Sequence, residues 1–346
     1  MNIEEFLRSV TALPGVTGSE RPAAEYIADA FRPYCDEVHI TPLNCVVCHR
    51  KGKGQKVIVC AHLDEIGMMV SRIEEDGSLR MQSVGGVDPR ILPGMRVRVY
   101  GKKLLCGVVG AKAPHLLTEK EKNTNYTFAD TLYVDMGMPA DKVRKMVSVG
   151  DRVCFEARYV TLKNDRVATK TADDRACVGV MLEAARLLSD MRCDADVYFV
   201  ATCQEEIGSY GAAMSGYSVD PDYAVALDVC HAETPGAPPL RVHKLDSLVA
   251  SKGPFIHPFL RSELDRVAKE QGIALQSGVG GGSTSTDADS LTIARGGIPT
   301  VLLELPLKYM HTNVETFDMH ALTEGGRLLA HYLRAVDPSW EEKLWN

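Results

Sequence analysis

The sequence predicts an α/β protein: a mostly parallel-sheet α/β/α sandwich with a small β-rich, barrel-like insert. Short apolar runs alternate with segments of helical spacing toward both ends of the chain, as parallel strands joined by crossover helices require. Between residues 71 and 164 that alternation stops, and short β-branched runs broken by glycine and proline replace it. A length of 346 residues accommodates two such units at about 150 residues each. The expected division is a main unit formed by 1–70 and 165–346, with 71–164 inserted into it.

Taken in chain order, MNIEEFLRSVTALPG reads as a short amphipathic helix. Ser19 is placed to cap a second helix over RPAAEYIADAFRPY, with Pro22 tolerated in its first turn. KVIVCAH, which ends at His62, is a continuous apolar run of the kind buried on both faces of a sheet. In the insert, RVRVYG, GVVGA, TLYVDMG and DRVCFEARYV read as strands. Beyond residue 170, RACVGVMLEAARLLSDM has helical spacing, and DADVYFVATC and DYAVALDV are strands. PFLRSELDRVAKEQG is an amphipathic helix, IPTVLLELP a strand, and FDMHALTEGGRLLAHYLRAV a closing helix. SGVGGGSTST at 277–286 lacks the GK[ST] ending of a phosphate-binding loop and reads as a mobile loop.

Composition narrows the partners. Apolar and charged fractions of 45% and 25% are those of an ordinary globular protein. A net charge of -7 argues against nucleic acid or an anionic membrane surface. The N-terminus has two early acids and no apolar core of a signal peptide, and no run approaches the ~18–20 apolar residues of a membrane span. The expectation is a cytoplasmic protein, whose ten cysteines stay reduced and act largely as small buried hydrophobes. Cys45 and Cys48 form a CxxC, but no second CxxC and no following helix start support a zinc or redox role.

The chemistry gathers at predicted strand ends. His62 follows a buried strand, and Asp64, two residues on, is placed to accept the second ring N–H, as outer-shell carboxylates of metal-bound histidines do. Asp173 and Asp174 precede a long helix, and two adjacent aspartates exceed what one N-cap requires. Glu205 and Glu206 follow a buried strand, where two carboxylates are costly unless a cation compensates them. In extended backbone their side chains diverge, so that one can ligate a metal while the other acts as a base. Asp228 closes the apolar run YAVALDV, and His311 follows the strand TVLLELP. In open α/β sheets ligands bind outside such strand ends. Two histidines with several carboxylates suit Zn²⁺ or a comparable ion such as Co²⁺. Five ligands exceed the needs of one tetrahedral ion with an open position, and two ions sharing a carboxylate fit better.

These residues resemble those of the tetrahedral aminopeptidase (TET) and glutamyl aminopeptidase family of dinuclear metallopeptidases. The likeness is carried by HLDEIG at 62–67, KTADDRACVG at 170–179, QEEIGSYGA at 204–212, ALDV at 226–229, STDA at 285–288 and KYMH at 308–311. PGVTGSE, APHLL at 113–117 and LYVDMG at 132–137 are weaker likenesses. The resemblance implies that His62, Asp173 and Asp228 hold one metal, and that Asp173 bridges to a second held by Glu206 and His311. It implies Glu205 as general base, Asp64 as the residue orienting the first histidine, and 71–164 as a dimerisation domain of a dodecamer. The implied activity is removal of N-terminal residues from peptides with free N-termini, with Zn²⁺, Co²⁺ or Mn²⁺ as the metal. Thr41 to Cys45, Lys308 and the pair Ser209-Tyr210 depart from the family's usual residues and touch no proposed ligand.

Three other readings share these residues. A deacylase or amidase of N-acyl amino acids would keep the site and change the bond. Glycan hydrolysis would work through two carboxylic groups without a metal. A metal-stabilised, inactive assembly protein would have no use for Glu205, which is present.

Overall fold

The computed structural model describes residues 2–344 apart from 124, 129 and 130. An eight-stranded sheet forms its centre. Asp196–Thr202, Lys56–His62, Tyr223–His231 and Thr300–Leu307 lie side by side and parallel, all ending on the same edge. Their residues are buried almost without a break, because helices cover both faces. The flanks are antiparallel. Val46–Arg50 runs against Asp196–Thr202, and Leu248–Lys252 runs against Thr300–Leu307 and carries Leu275–Val279 at the edge.

The helices Ala172–Ser189 and Met319–Ala335 pack together on one face of the sheet, while Tyr210–Val219 and Asp287–Ile293 pair on the other. The first pairing is close because Gly325 and Gly326 lack side chains. A Cβ would stand 2.5 Å from Leu248 Cδ1 at Gly325 and 2.6 Å from Glu183 Cβ at Gly326. The insert closes into a six-stranded barrel in the order Gly67–Ile73, Leu79–Val84, Leu132–Asp135, Leu104–Ala111, Arg96–Tyr100 and Arg152–Phe155. Met68, Val70, Leu79, Met81, Val97, Val99, Val134 and Val153 fill it as a core separate from that of the main sheet.

Several elements differ from their sequence expectation. The second helix is Arg21–Phe31, with Glu20 rather than Ser19 at its start and no side-chain cap. The Glu20 carboxylate accepts instead from the Gly18 N–H at 2.6 Å. This helix stops before Pro33, which has no N–H to continue the ladder, although Arg32 before it is still in helical backbone. Val160–Thr161, at the end of the DRVCFEARYV run, leaves the barrel and pairs with Arg166–Thr169 in a small three-stranded sheet. Ser277, Gly278 and Val279, the start of the glycine-rich patch, belong to the edge strand Leu275–Val279. The helix Met319–Ala335 does not close the chain. Ser339–Lys343 follows it and inserts Trp340 among Tyr223, Phe259 and Tyr332. Spaced by three in extended chain, Cys45 and Cys48 face opposite sides of the sheet. Cys45 Sγ lies 3.2 Å from Cys203 Sγ, and all ten cysteines are unpaired.

Two segments that carry site residues are latched by a buried ion pair. Lys170 Nζ reaches Glu65 Oε2, and both side chains are almost wholly shielded. The second Glu65 oxygen accepts from the Gly15 N–H at 2.9 Å. Beneath it, Arg175 donates to the carbonyls of Leu63, Val10 and Leu13. Removing Lys170 leaves the buried Glu65 carboxylate with only the more distant Arg175, 3.8 Å away. Lys170→Met should therefore lower unfolding free energy by roughly 3–5 kcal/mol, with the double variant Lys170→Met/Glu65→Gln losing less. Urea denaturation of the three proteins measures this, and equal stability of Lys170→Met and wild type would refute it.

Candidate functional site

A cleft of about 1130 Å³ opens at the C-terminal edge of the parallel strands. Asp173, Glu205, Glu206, Asp228 and His311 line it. His62, the last residue of Lys56–His62, is 1% exposed and lies directly behind them.

Asp173 sits between the two histidines. Its Oδ1 is 3.0 Å from His62 Nε2, and its Oδ2 is 3.3 Å from His311 Nε2. His311 Nε2 is also 3.6 Å from Glu206 Oε2, and His62 Nε2 is 3.8 Å from Glu205 Oε2. The two glutamates thus turn toward different histidines. They do so from a loop beyond the strand, with Gln204 at φ 60°, rather than from extended backbone. Asp228 lies within Tyr223–His231, three residues before its end, and its Oδ1 accepts from the Val229 N–H at 2.7 Å.

Main-chain hydrogen bonds fix these groups. His62 Nδ1 is 3.1 Å from the carbonyl oxygen of Asp64 and 3.6 Å from its carboxylate. The main-chain oxygen is thus the nearer partner of this ring nitrogen, with the carboxylate expected from the sequence also beside it. The Asp64 carboxylate also holds the glutamate loop. It accepts from the N–H of Glu205 at 3.1 Å, the N–H of Glu206 at 3.3 Å and Thr17 Oγ1 at 2.7 Å. Asp174, fully buried, accepts from the His62 N–H at 3.2 Å.

Two residues outside the sequence expectation complete the arrangement. Glu315 accepts from the Asp173 N–H at 3.1 Å through one oxygen and from the His311 N–H at 2.9 Å through the other. Gly86, from the barrel side, gives its carbonyl to His311 Nδ1 at 3.1 Å, and a Cβ there would stand 2.8 Å from that nitrogen. Neither had a distinguishing signal: Glu315 reads as one acid in a polar loop and Gly86 as half of a turn.

The electrostatics are those of acids held without enough cations. Burial pushes the carboxyls of Glu206 and Asp228 well above the ordinary range. Burial also acts on Asp173, but hydrogen bonds to His311 and His62 outweigh it and hold that carboxyl low. For His62 burial opposes protonation, yet Asp173 and Asp64 raise it; for His311 the Asp173 hydrogen bond leads the same shift. Two sets of donor atoms lie within 4.8 Å of one another, His62 with Asp173 and Glu206, and His62 with Asp174 and Asp228. The residues fit a metal ion: imidazole nitrogen and carboxylate oxygen are suitable donors, and a cation would offset the excess charge.

Converging imidazoles and carboxylates at the strand ends of an α/β sheet are the equipment of a metal-assisted hydrolase. Residues 44–328 match the family model described as M42 glutamyl aminopeptidase, so the chain belongs to that family and is a peptide hydrolase. A lysyl aminopeptidase of Pyrococcus furiosus is 36% identical over 341 residues, covering 96% of this chain and 97% of that one. Among solved structures, the TET aminopeptidase of Thaumarchaeota archaeon SCGC AB-539-E09 superposes with a TM-score of 0.94 at 28% identity, covering 99% of this chain and 98% of that one. A Pyrococcus horikoshii TET1 peptidase that can assemble into a tetrahedron or a large octahedral shell matches at 0.86 and 28% identity, covering 97% and 100%. Among the described residues no helix is long and apolar enough to cross a membrane.

Glu315 joins the backbones of two site residues, so its loss should loosen both. Glu315→Ala is expected to weaken Zn²⁺ binding by the metal-free protein about 10–100-fold. Isothermal titration calorimetry reads this directly, and an affinity equal to wild type would show that Asp173 and His311 are held without it.

Proposed function

We propose that the chain is a metal-dependent aminopeptidase releasing single residues from peptides with a free N-terminus. The observation that supports this most is Asp173, with one carboxylate oxygen turned to each histidine at 3.0 and 3.3 Å. Such a carboxylate suits a bridging ligand. In this reading His62, Asp173 and Asp228 hold one divalent ion, and Asp173, Glu206 and His311 hold a second. The donor set suits Zn²⁺, with Co²⁺ or Mn²⁺ as substitutes. Ions bound there would lower the pKa of coordinated water and polarise the scissile carbonyl.

The chain's own residues then divide the work. Glu205 is the general base. Its Oε1 accepts from Ser209 Oγ at 3.2 Å, leaving Oε2 to take a proton from the attacking water and return it to the departing amine. Burial raises the Glu205 carboxyl, with the nearby charge of His62 opposing, which favours proton uptake by this group. Asp64 is a positioning residue, since its oxygens hold the main chain of Glu205 and Glu206. The excess of carboxylates draws a substrate's α-ammonium group into the cleft, which favours cutting at a free N-terminus.

Paired peptides with free and acetylated N-termini test this reading in the metal-loaded enzyme, followed by mass spectrometry. Free peptides should lose single residues in sequence, and acetylated ones should be cut at least ~10²-fold more slowly. Glu205→Gln should lose ~10²–10⁴-fold in turnover while retaining its metal. Equal cleavage of both peptide forms would move the assignment to the amidase reading. Loss of metal with Glu205→Gln would mean that the two glutamates exchange roles.

We read residues 71–164 as a dimerisation domain, in a cytoplasmic dodecamer built from dimers. Leu104, Val108 and Leu116 on that unit are 52%, 46% and 61% exposed, which supports a contact surface. Ten unpaired cysteines suit a reducing compartment. Native mass spectrometry should give a twelve-subunit mass that falls to dimers on dilution or metal removal, and a monomer throughout would remove this assembly.

A further inference from the structure

The cleft runs on beyond the histidine–carboxylate cluster, along Thr300–Leu307, Leu248–Lys252 and the segment 277–286. Glu304 stands in this wall, in register with Asp228 on the neighbouring parallel strand. Residues in register present their side chains to the same face about 5 Å apart, so Glu304 lies one strand farther along the cleft than Asp228.

Its partners are few. Ser251 Oγ donates to Glu304 Oε2, and among the described residues no lysine, arginine or histidine pairs with it. The fully buried Glu65, by contrast, meets Lys170. Asp289, also on the cleft, is consumed by Ser283, Thr284 and Ser285 of its own loop. Burial pushes the Glu304 carboxyl up to about 7, against the Ser251 hydrogen bond. His231, Arg241, Lys252 and the half-buried His243 also border the cleft, but none pairs with Glu304, and the first three are exposed, where water and salt screen them. A shielded carboxylate without a cation is costly, and one in a cleft wall is open to a ligand that brings the cation.

We propose that Glu304 is a specificity-determining residue, the counter-ion for a lysine or arginine side chain on the residue that the enzyme releases. This rests on the aminopeptidase reading above. A cation at the end of a long apolar stem makes a charge-assisted hydrogen bond to Glu304 and lays its methylenes along the wall. A leucine side chain strips water from the carboxylate and returns nothing, and a glutamate side chain adds like charge.

The test compares kcat/KM of the metal-loaded enzyme on peptides Lys-Ala-Ala, Arg-Ala-Ala, Leu-Ala-Ala and Glu-Ala-Ala. Lysine and arginine should exceed leucine by at least ~10-fold, the scale of one hydrogen bond to a charged group, with glutamate lowest. Glu304→Gln should reduce the lysine-to-leucine ratio at least ~10-fold, chiefly through KM for the lysyl peptide. A wild-type enzyme that prefers leucine or glutamate overturns the proposal, and so does an unaltered ratio in Glu304→Gln. Should that variant not fold, the wild-type ranking decides alone. Cleavage with the wrong ranking sinks only this inference, whereas no cleavage of any free peptide sinks the aminopeptidase reading with it.

Discussion

Negative charge gathered at one edge of a buried sheet is the constraint to which the rest of the structure answers. Asp173, Asp174, Glu206 and Asp228 meet His62 and His311 at the floor of the cleft, most of them buried and His311 the most open to solvent. Burial alone would drive most of these acids neutral, and it raises Asp174, Glu206 and Asp228. Two imidazoles cannot neutralise them all. An apolar fold tolerates such a cluster only where its main chain is locked and a cation can enter, which gives the site its chemical character.

The locking is done by further acids, and it explains why so many lie at one edge. Asp64 and Glu315 each spend their oxygens on main-chain N–H groups of two site residues, Asp64 on Glu205 and Glu206, Glu315 on Asp173 and His311. A carboxylate bonded to two N–H groups fixes the spacing between them more rigidly than apolar packing does. Glu65 repeats the device one layer down, joining Gly15 to Lys170. The loops that present the site are thus held by charge-assisted hydrogen bonds, while the strands beneath are held by apolar burial.

How much of this was legible in the sequence depended on how local each signal is. The central strands and the long helices were readable because continuous apolar runs and helical spacing are written within single segments. His62, Glu205, Glu206, Asp228 and His311 stood out because polar residues at the ends of buried runs need a reason, and Asp173 because two adjacent aspartates exceed what one helix cap requires. Glu315 and Gly86 did not, since their meaning lies in contacts with residues distant in the chain: Glu315 acts on Asp173, and Gly86 on His311. Asp64 was recognisable as a partner of His62, but not that its carbonyl faces the ring while its carboxylate serves the glutamate loop. The helix start at Glu20 was misread for the same reason. Its carboxylate is turned back to Gly18 and outward to Asn44, contacts that propensity at Ser19 does not encode.

The contact of Gly86 with His311 also joins the two units of the chain at the chemistry. His311 stands at φ 61° in a loop of the main unit, 33% exposed at its side chain, and is the least shielded of the site histidines. It is gripped from two directions, by Glu315 at its main-chain N–H and by the Gly86 carbonyl at its ring. The second grip comes from the segment that follows Leu79–Val84, so a shift of the barrel against the sheet would turn this imidazole. A Cβ at Gly85, φ 74°, would stand 2.8 Å from Ile66 Cγ2 and 3.4 Å from Glu206 Cβ, which extends the same dependence to a carboxylate. The barrel is therefore not a bystander to the cleft. Whatever holds it in place holds His311 and Glu206 as well.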